Sequence, residues 1–102
     1  MPYTKMQERS DVDSQVTALA LALSKQTEGM ETADCGGRLN YVLTTLIIKY
    51  IKIRFGKIKY SIGLMISGAL INVYSEFYDR VMRPYEDKKK EENGDVGYDN
   101  IL

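Results

Sequence analysis

The stretch Tyr60 to Arg83, YSIGLMISGALINVYSEFYDRVMR, decides the fold. Ile62, Met65, Ile66, Ala69, Leu70, Val73, Tyr74, Phe77, Tyr78, Val81 and Met82 recur at the period of an α-helix, which predicts a helix of roughly 36 Å. Gly63, Ser67 and Gly68 lower helix propensity, yet their small side chains let another backbone approach closely. Pro84 interrupts the pattern, either kinking the helix or opening a new turn with Tyr85, Glu86 and Asp87 in its first positions. The Lys/Glu run beyond it predicts an exposed helix that Asn93-Gly94-Asp95 ends, and residues 93–102 read as a loose tail.

Working back toward the N-terminus, Leu39, Val42, Leu43, Leu46, Ile47, Tyr50 and Ile51 give a second long helix that starts after Gly36-Gly37. Its end has two readings. Ile51, Ile53 and Phe55 alternate with Lys52 and Arg54 before Gly56-Lys57, the pattern of a β-hairpin. A helix ending near Phe55 with Gly56 just past its last turn is favoured, because an isolated two-stranded ribbon is marginal in water. Val12, Val16, Leu19 and Leu23 form the stripe of a shorter first helix, with Ser10 as N-cap and Asp11 and Asp13 at its positive end. Thr4 with Gln7 suits a cap on a separate short turn. Residues 25–37 lack periodicity and read as a mobile loop. The expectation is an all-α fold: one helical domain over 1–102, a small bundle of two long helices, a shorter N-terminal helix and a C-terminal tail. Because 102 residues bury only a modest core, oligomerisation is expected as well.

Composition excludes several chemistries. With 44% hydrophobic and 27% charged residues the chain is ordinary globular material, but it has no histidine, no tryptophan and one cysteine. No Ser-His-Asp or Cys-His pair and no imidazole metal site can exist. Cys35 alone makes neither an internal disulfide nor a cysteine zinc site, which suits a reducing compartment. The N-terminus shows no signal-peptide pattern, and the apolar run from Ile62 to Val73 falls short of the roughly 20 residues that a membrane span needs. A cytoplasmic protein without a membrane partner is expected, and no phosphate-binding loop, dinucleotide fingerprint, zinc or calcium pattern calls for a cofactor or metal.

Net charge is zero, but its distribution is uneven. Residues 1–35 and 84–102 each carry three bases against six acids, a net of −3, while residues 36–83 carry eight bases against two acids, a net of +6. The basic middle either receives an anionic partner or is neutralised by its own flanks. Lys49, Lys52, Arg54, Lys57 and Lys59 interleave with Tyr50, Phe55 and Tyr60, and cations beside aromatic rings suit phosphates and stacked bases. The plainer reading packs the rings inward and solvates the lysines. Glu76 with Arg80 and Asp79 with Arg83 are i,i+4 pairs. Arg80 and Arg83 lie beside Tyr78 and Tyr85 around the helix break, where guanidinium forks and rings suit a phosphate and a base. Glu76 and Asp79 are also the carboxylates that a metal-dependent enzyme would use. Asn40-Tyr41 opens the second helix, where Asn40 caps it or joins free amides in holding an anion. The candidate ligand-binding residues are therefore Asn40, Tyr41, Arg54, Lys57, Tyr78, Arg80, Arg83 and Tyr85.

The opening MPYTK, the helix LNYVLTTLI and the block SEFYDRVMRPYEDKKKEENGDV, with the spacing between them, resemble a small uncharacterised family of about one hundred residues found in bacteriophages and bacteria. The resemblance covers most of the chain and implies a compact helical fold and a phage setting, with no reaction attached. In that family the region corresponding to 52–60 is usually less basic and often holds a short glycine loop, which supports helix-loop-helix there and marks the Ile/Lys/Arg alternation here as a departure.

Three function classes follow. The first is a phage-type oligomer that sequesters an anionic, nucleotide-like small molecule and so blunts host defence. The second is an interaction module that inhibits or adapts a host or phage protein. The third, least favoured, is a metal-dependent nucleotide-cleaving enzyme. Extended nucleic acid fits poorly, since the acidic tail repels a polyanion.

Overall fold

In the computed structural model, residues 3–102 are described, and every regular element among them is helical. A short 3₁₀ turn, Met6–Glu8, precedes α1 (Ser10–Gln26), followed by α2 (Thr32–Phe55), α3 (Tyr60–Phe77), a π-helical turn (Tyr78–Met82), α4 (Arg83–Asn93) and a 3₁₀ turn at Tyr98–Ile101. The fold is all-α. Its backbone contacts group into two compact units, Met1–Lys59 and Tyr60–Leu102.

In the first unit, α1 begins one residue earlier than its expected cap. Ser10 is already helical, and the N-cap position falls to Arg9, with no side-chain hydrogen bond to the helix. Asp11 and Asp13 do lie in the first turn, where the macrodipole favours them. The short turn before α1 is present, but Thr4 does not cap it; its carbonyl instead accepts a hydrogen bond from Arg9 Nε at 2.9 Å. At the other end, the Thr27 hydroxyl donates to the carbonyls of Leu23 and Ser24, the first of which also accepts the Thr27 N–H at 3.1 Å.

The loop expected over 25–37 is shorter than its composition suggests. α1 continues to Gln26 and α2 starts at Thr32, so Gly36 and Gly37 lie inside a helix. Each costs about 1 kcal/mol against alanine, and the long apolar stripe that follows carries the helix through them. Asn40 consequently lies in the interior of α2, not at its start. The far end matches the helical alternative and excludes the hairpin. α2 stops at Phe55, and Gly56 adopts φ +84° while its N–H donates to the carbonyls of Ile51 and Lys52, both at 3.1 Å. That conformation is the reason the β-like alternation of 51–60 never becomes strand: glycine closes the helix before a second segment can pair.

In the second unit α3 stops at Phe77 rather than at Arg83, and a wide turn joins it to the helix expected around and beyond Pro84. Pro84 lacks an N–H, and its ring would clash with the Arg80 carbonyl in a regular helix. The turn before it opens to i→i−5 spacing, with the Arg83 N–H donating to the Tyr78 carbonyl. α4 then runs to Asn93, and Gly94, at φ +85°, ends it with its N–H 2.8 Å from the Lys90 carbonyl. Within the expected tail, Tyr98–Ile101 forms a 3₁₀ turn.

Neither unit has an apolar core of its own. Among the described residues Ile62 is the single buried apolar side chain, at 8% exposure, and no residue of α1 or α2 is buried. The stripes read from the sequence exist as faces, but they lie open.

Two glycines of one chain should respond with opposite signs. Gly36→Ala, in the interior of α2 with nothing within 4 Å of a new Cβ, should raise stability by about 1 kcal/mol. Gly56→Ala, with equally open space but a positive φ, should lower it by about 1–2 kcal/mol. Urea denaturation of both variants at one protein concentration checks this; a Gly56→Ala protein as stable as the parent would show that the α2 terminus is built otherwise.

Candidate functional site

The expected site residues fall into two clusters, one in each unit. In the first unit, the last turn of α2 carries Lys52 and Arg54, cations that also suit the negative end of the helix dipole. Tyr50 and Phe55 meet edge to face, with ring centroids 5.8 Å apart, and the Arg54 guanidinium lies over the Phe55 ring at 5.1 Å. No ion pair within this unit engages Lys49, Lys52, Arg54, Lys57 or Lys59. The α2 end is thus a cationic surface with rings fixed among the charges.

Asn40 and Tyr41 do not form an amide cradle. Asn40 Oδ1 accepts a hydrogen bond from the Thr44 hydroxyl at 3.1 Å, one turn along α2, and the backbone amides around it belong to the helix ladder. Tyr41 is exposed at 69%. The free amides lie at Thr32 and the positions after it. Near them Met30, Ala33, Asp34, Gly37 and Arg38 line a hollow of about 450 Å³ that none of the expected residues reaches.

In the second unit, Tyr78, Arg80, Arg83 and Tyr85 surround the π-turn. Arg80 Nε lies 2.8 Å from Glu76 Oε2, and Arg83 Nη2 lies 3.0 Å from Asp79 Oδ1. The Arg80 contact is ionic rather than a directed hydrogen bond, since Glu76 Oε2 is shielded from solvent and has no well-aligned donor. Such exposed pairs are worth a few tenths of a kcal/mol each, but an incoming anion has to displace them. Of the four residues, Tyr78 and Arg83 come together, with the guanidinium 5.7 Å from the ring centroid. Tyr85 instead receives Lys89 over its ring at 5.7 Å. Sequence reasoning missed Glu86, whose Oε2 accepts the Tyr78 hydroxyl at 2.7 Å. The signal available was Pro84, which forces the wide turn between Tyr78 and Glu86.

That hydrogen bond has an electrostatic signature. Donation to Glu86, and then the Glu86 charge itself, raise the Tyr78 phenol above its ordinary value of 10.0, while Arg83 acts in the opposite direction. Among the described residues no group of three His, Cys, Asp or Glu side chains could hold a metal ion, and no helix is long and apolar enough to cross a membrane.

A family model described as a domain of unknown function, DUF6899, matches residues 1–96. The chain belongs to that family. The DUF6899 match spans both clusters and all four helices, in agreement with the expectation of a small uncharacterised family. No curated protein and no solved structure matches the chain.

The Tyr78–Glu86 contact predicts a pH effect with a definite sign. A phenol raised in the folded state contributes stability below its unfolded value, and that contribution is lost as pH rises through the higher folded value. Glu86→Gln should bring the Tyr78 titration back toward 10.0, followed by NMR of its ring carbon. An unshifted titration in the variant would remove Glu86 as the cause.

Proposed function

We propose that this chain is a protein-interaction module, working through apolar helix faces rather than through a reaction. The single observation that carries this reading is the missing core: Leu21, Leu46, Ile48, Ile71, Val73 and Tyr74 are each more than half exposed, and among the described residues only Ile62 is buried. Exposed apolar surface on this scale marks a docking surface. A chain that spends its hydrophobic residues this way gains its stability when a partner covers them. The setting that fits is a reducing cytoplasm, where the free thiol of Cys35 is stable, and the family resemblance points to a phage-infected cell.

Capture of an anionic, nucleotide-like small molecule is the second reading, favoured by the α2 end. There the cations lack carboxylate partners within their unit, and Arg54 already lies on a ring. Arg54 and Lys57 suit that role better than Arg80 and Arg83, which hold Glu76 and Asp79. Phosphate oxygens would meet Lys52, Arg54 and Lys57, while Tyr50 and Phe55 offer ring surface to a base.

Native mass spectrometry of protein purified from the cells that normally produce it separates the two. The interaction reading expects an assembly heavier than the chain, with protein subunits accounting for all its mass. Extra mass of nucleotide size that disappears in a Lys52→Gln, Arg54→Gln, Lys57→Gln variant would instead establish capture. A bare monomer with no exposed apolar surface by dye binding would overturn both.

A further inference from the structure

Tyr60–Phe77 contains one charged residue, Glu76, which shares one side of the helix with Ser61, Asn72 and Ser75; the rest of its circumference is mostly apolar. Apolar helix surface of that extent calls for cover. At the helical period, Ile62, Ile66, Ala69 and Val73 form one seam of α3, and Gly63, Ser67, Leu70 and Tyr74 form a second, about 100° around the axis. Ile62 is buried and Ile66 and Ala69 are half-buried, so the first seam is partly covered. The second is open: Tyr74 is 70% exposed, Leu70 is 47% exposed, and a Cβ built on Gly63 would meet nothing within 4 Å. Steps of four, three and four residues are those of a coiled-coil seam.

We propose that this second seam docks antiparallel on the same seam of a second copy of the chain. The proposal rests on the interaction-module reading and names its occupant. Size is the first argument. Leu64, Leu70, Ile71, Tyr74 and Phe77 are 57%, 47%, 66%, 70% and 57% exposed. Together they leave on the order of 400 Å² of apolar surface open. A standard interface covers about 800 Å² per partner, a little over half of it apolar, so one such face meets the need.

Charge is the second argument, and it also sets direction. Lys57 and Lys59 directly precede α3, which holds no charge before Glu76, whereas residues 76–102 hold eight acids and five bases. Parallel copies would set basic ends against each other, while antiparallel copies set each basic end against an acidic one. The whole chain has no net charge, so like copies meet without overall repulsion.

Shape completes the register. Self-pairing about a two-fold axis near Leu70 places Tyr74 of one copy over the hollow left by Gly63 and Ser67 of the other, and the reverse contact follows by symmetry. Gly63 and Ser67 thereby acquire a close helix contact that the chain does not make alone. A fold that needs cover in order to be stable also needs a partner that is always present, and its own copy is made with it.

The test is sedimentation equilibrium of the full chain, with apolar-dye binding and helicity recorded alongside. Disulfide trapping of Leu70→Cys in a Cys35→Ser background accompanies it, with Ser75→Cys in the same background as the off-seam control. A dimer, or a larger even assembly, is expected. Tyr74→Glu should weaken it by roughly a hundredfold, as loss of a central aromatic anchor does, and Leu70→Cys should form linked dimers faster than Ser75→Cys. Should Tyr74→Glu fail to fold, the cysteine comparison still decides. Equal trapping at the two positions would overturn the seam. A monomer that binds dye and lacks full helicity would overturn the second copy as occupant, while the interaction reading stands. A fully helical monomer that binds no dye would overturn both.

Discussion

The constraint on which everything else depends is that α3 is apolar around most of its circumference, while among the described residues one apolar side chain is buried. Hydrophobic burial is the main force that offsets the entropy of ordering a chain, and neither unit supplies enough of it internally. Local interactions do what they can. Glycine termini close α2 and α4, Thr27 takes up carbonyls at the end of α1, and i,i+4 and i,i+3 ion pairs line the helical path from Glu76 to Glu92. These are contributions of tenths of a kcal/mol to about 1 kcal/mol each, too small to take the place of a core.

Pro84 organises the most detailed part of the molecule. By removing one donor and crowding one carbonyl, it turns a helix that would have run straight through into a π-turn flanked by α3 and α4. The wide turn lets the Tyr78 hydroxyl reach Glu86 eight positions on, with Arg83 stacked on the same ring. Arg80 and Arg83, which look free for a ligand in the sequence, are already held by acids one turn back. What is left with unmet charge within its own unit is the end of α2, where a run of cations follows a helix with few acids of its own.

Much of this was legible in the residues. The 3.6-residue stripe of Tyr60–Arg83 gave α3, and a glycine directly after Ile51–Phe55 gave the end of α2, because each signal is local and strong. The start of α2 was hidden: Thr32–Gly37 reads as loop by composition, yet helix propagation from a long apolar stripe overrides two glycines, and Asp34 in the first turn suits the helix dipole. That misplacement carried Asn40 with it, since an N-terminal role depends on the helix starting there. The π-turn was legible only as an interruption at Pro84, because i→i−5 spacing leaves no periodic mark of its own. The site was less legible than the fold. Arg80 and Arg83 have both a ligand reading and a pairing reading at the same spacing, and only the distances to Glu76 and Asp79 choose between them.

Self-pairing of the α3 seam, as proposed, would have a consequence for dosage. A protein that completes its interior only by meeting a like chain folds in proportion to a power of its own concentration. At low copy number such chains are largely open and are cleared by proteases; above a threshold they accumulate together. A gene encoding such a chain behaves as a switch on its own expression level, silent when leaky and fully present once production is strong.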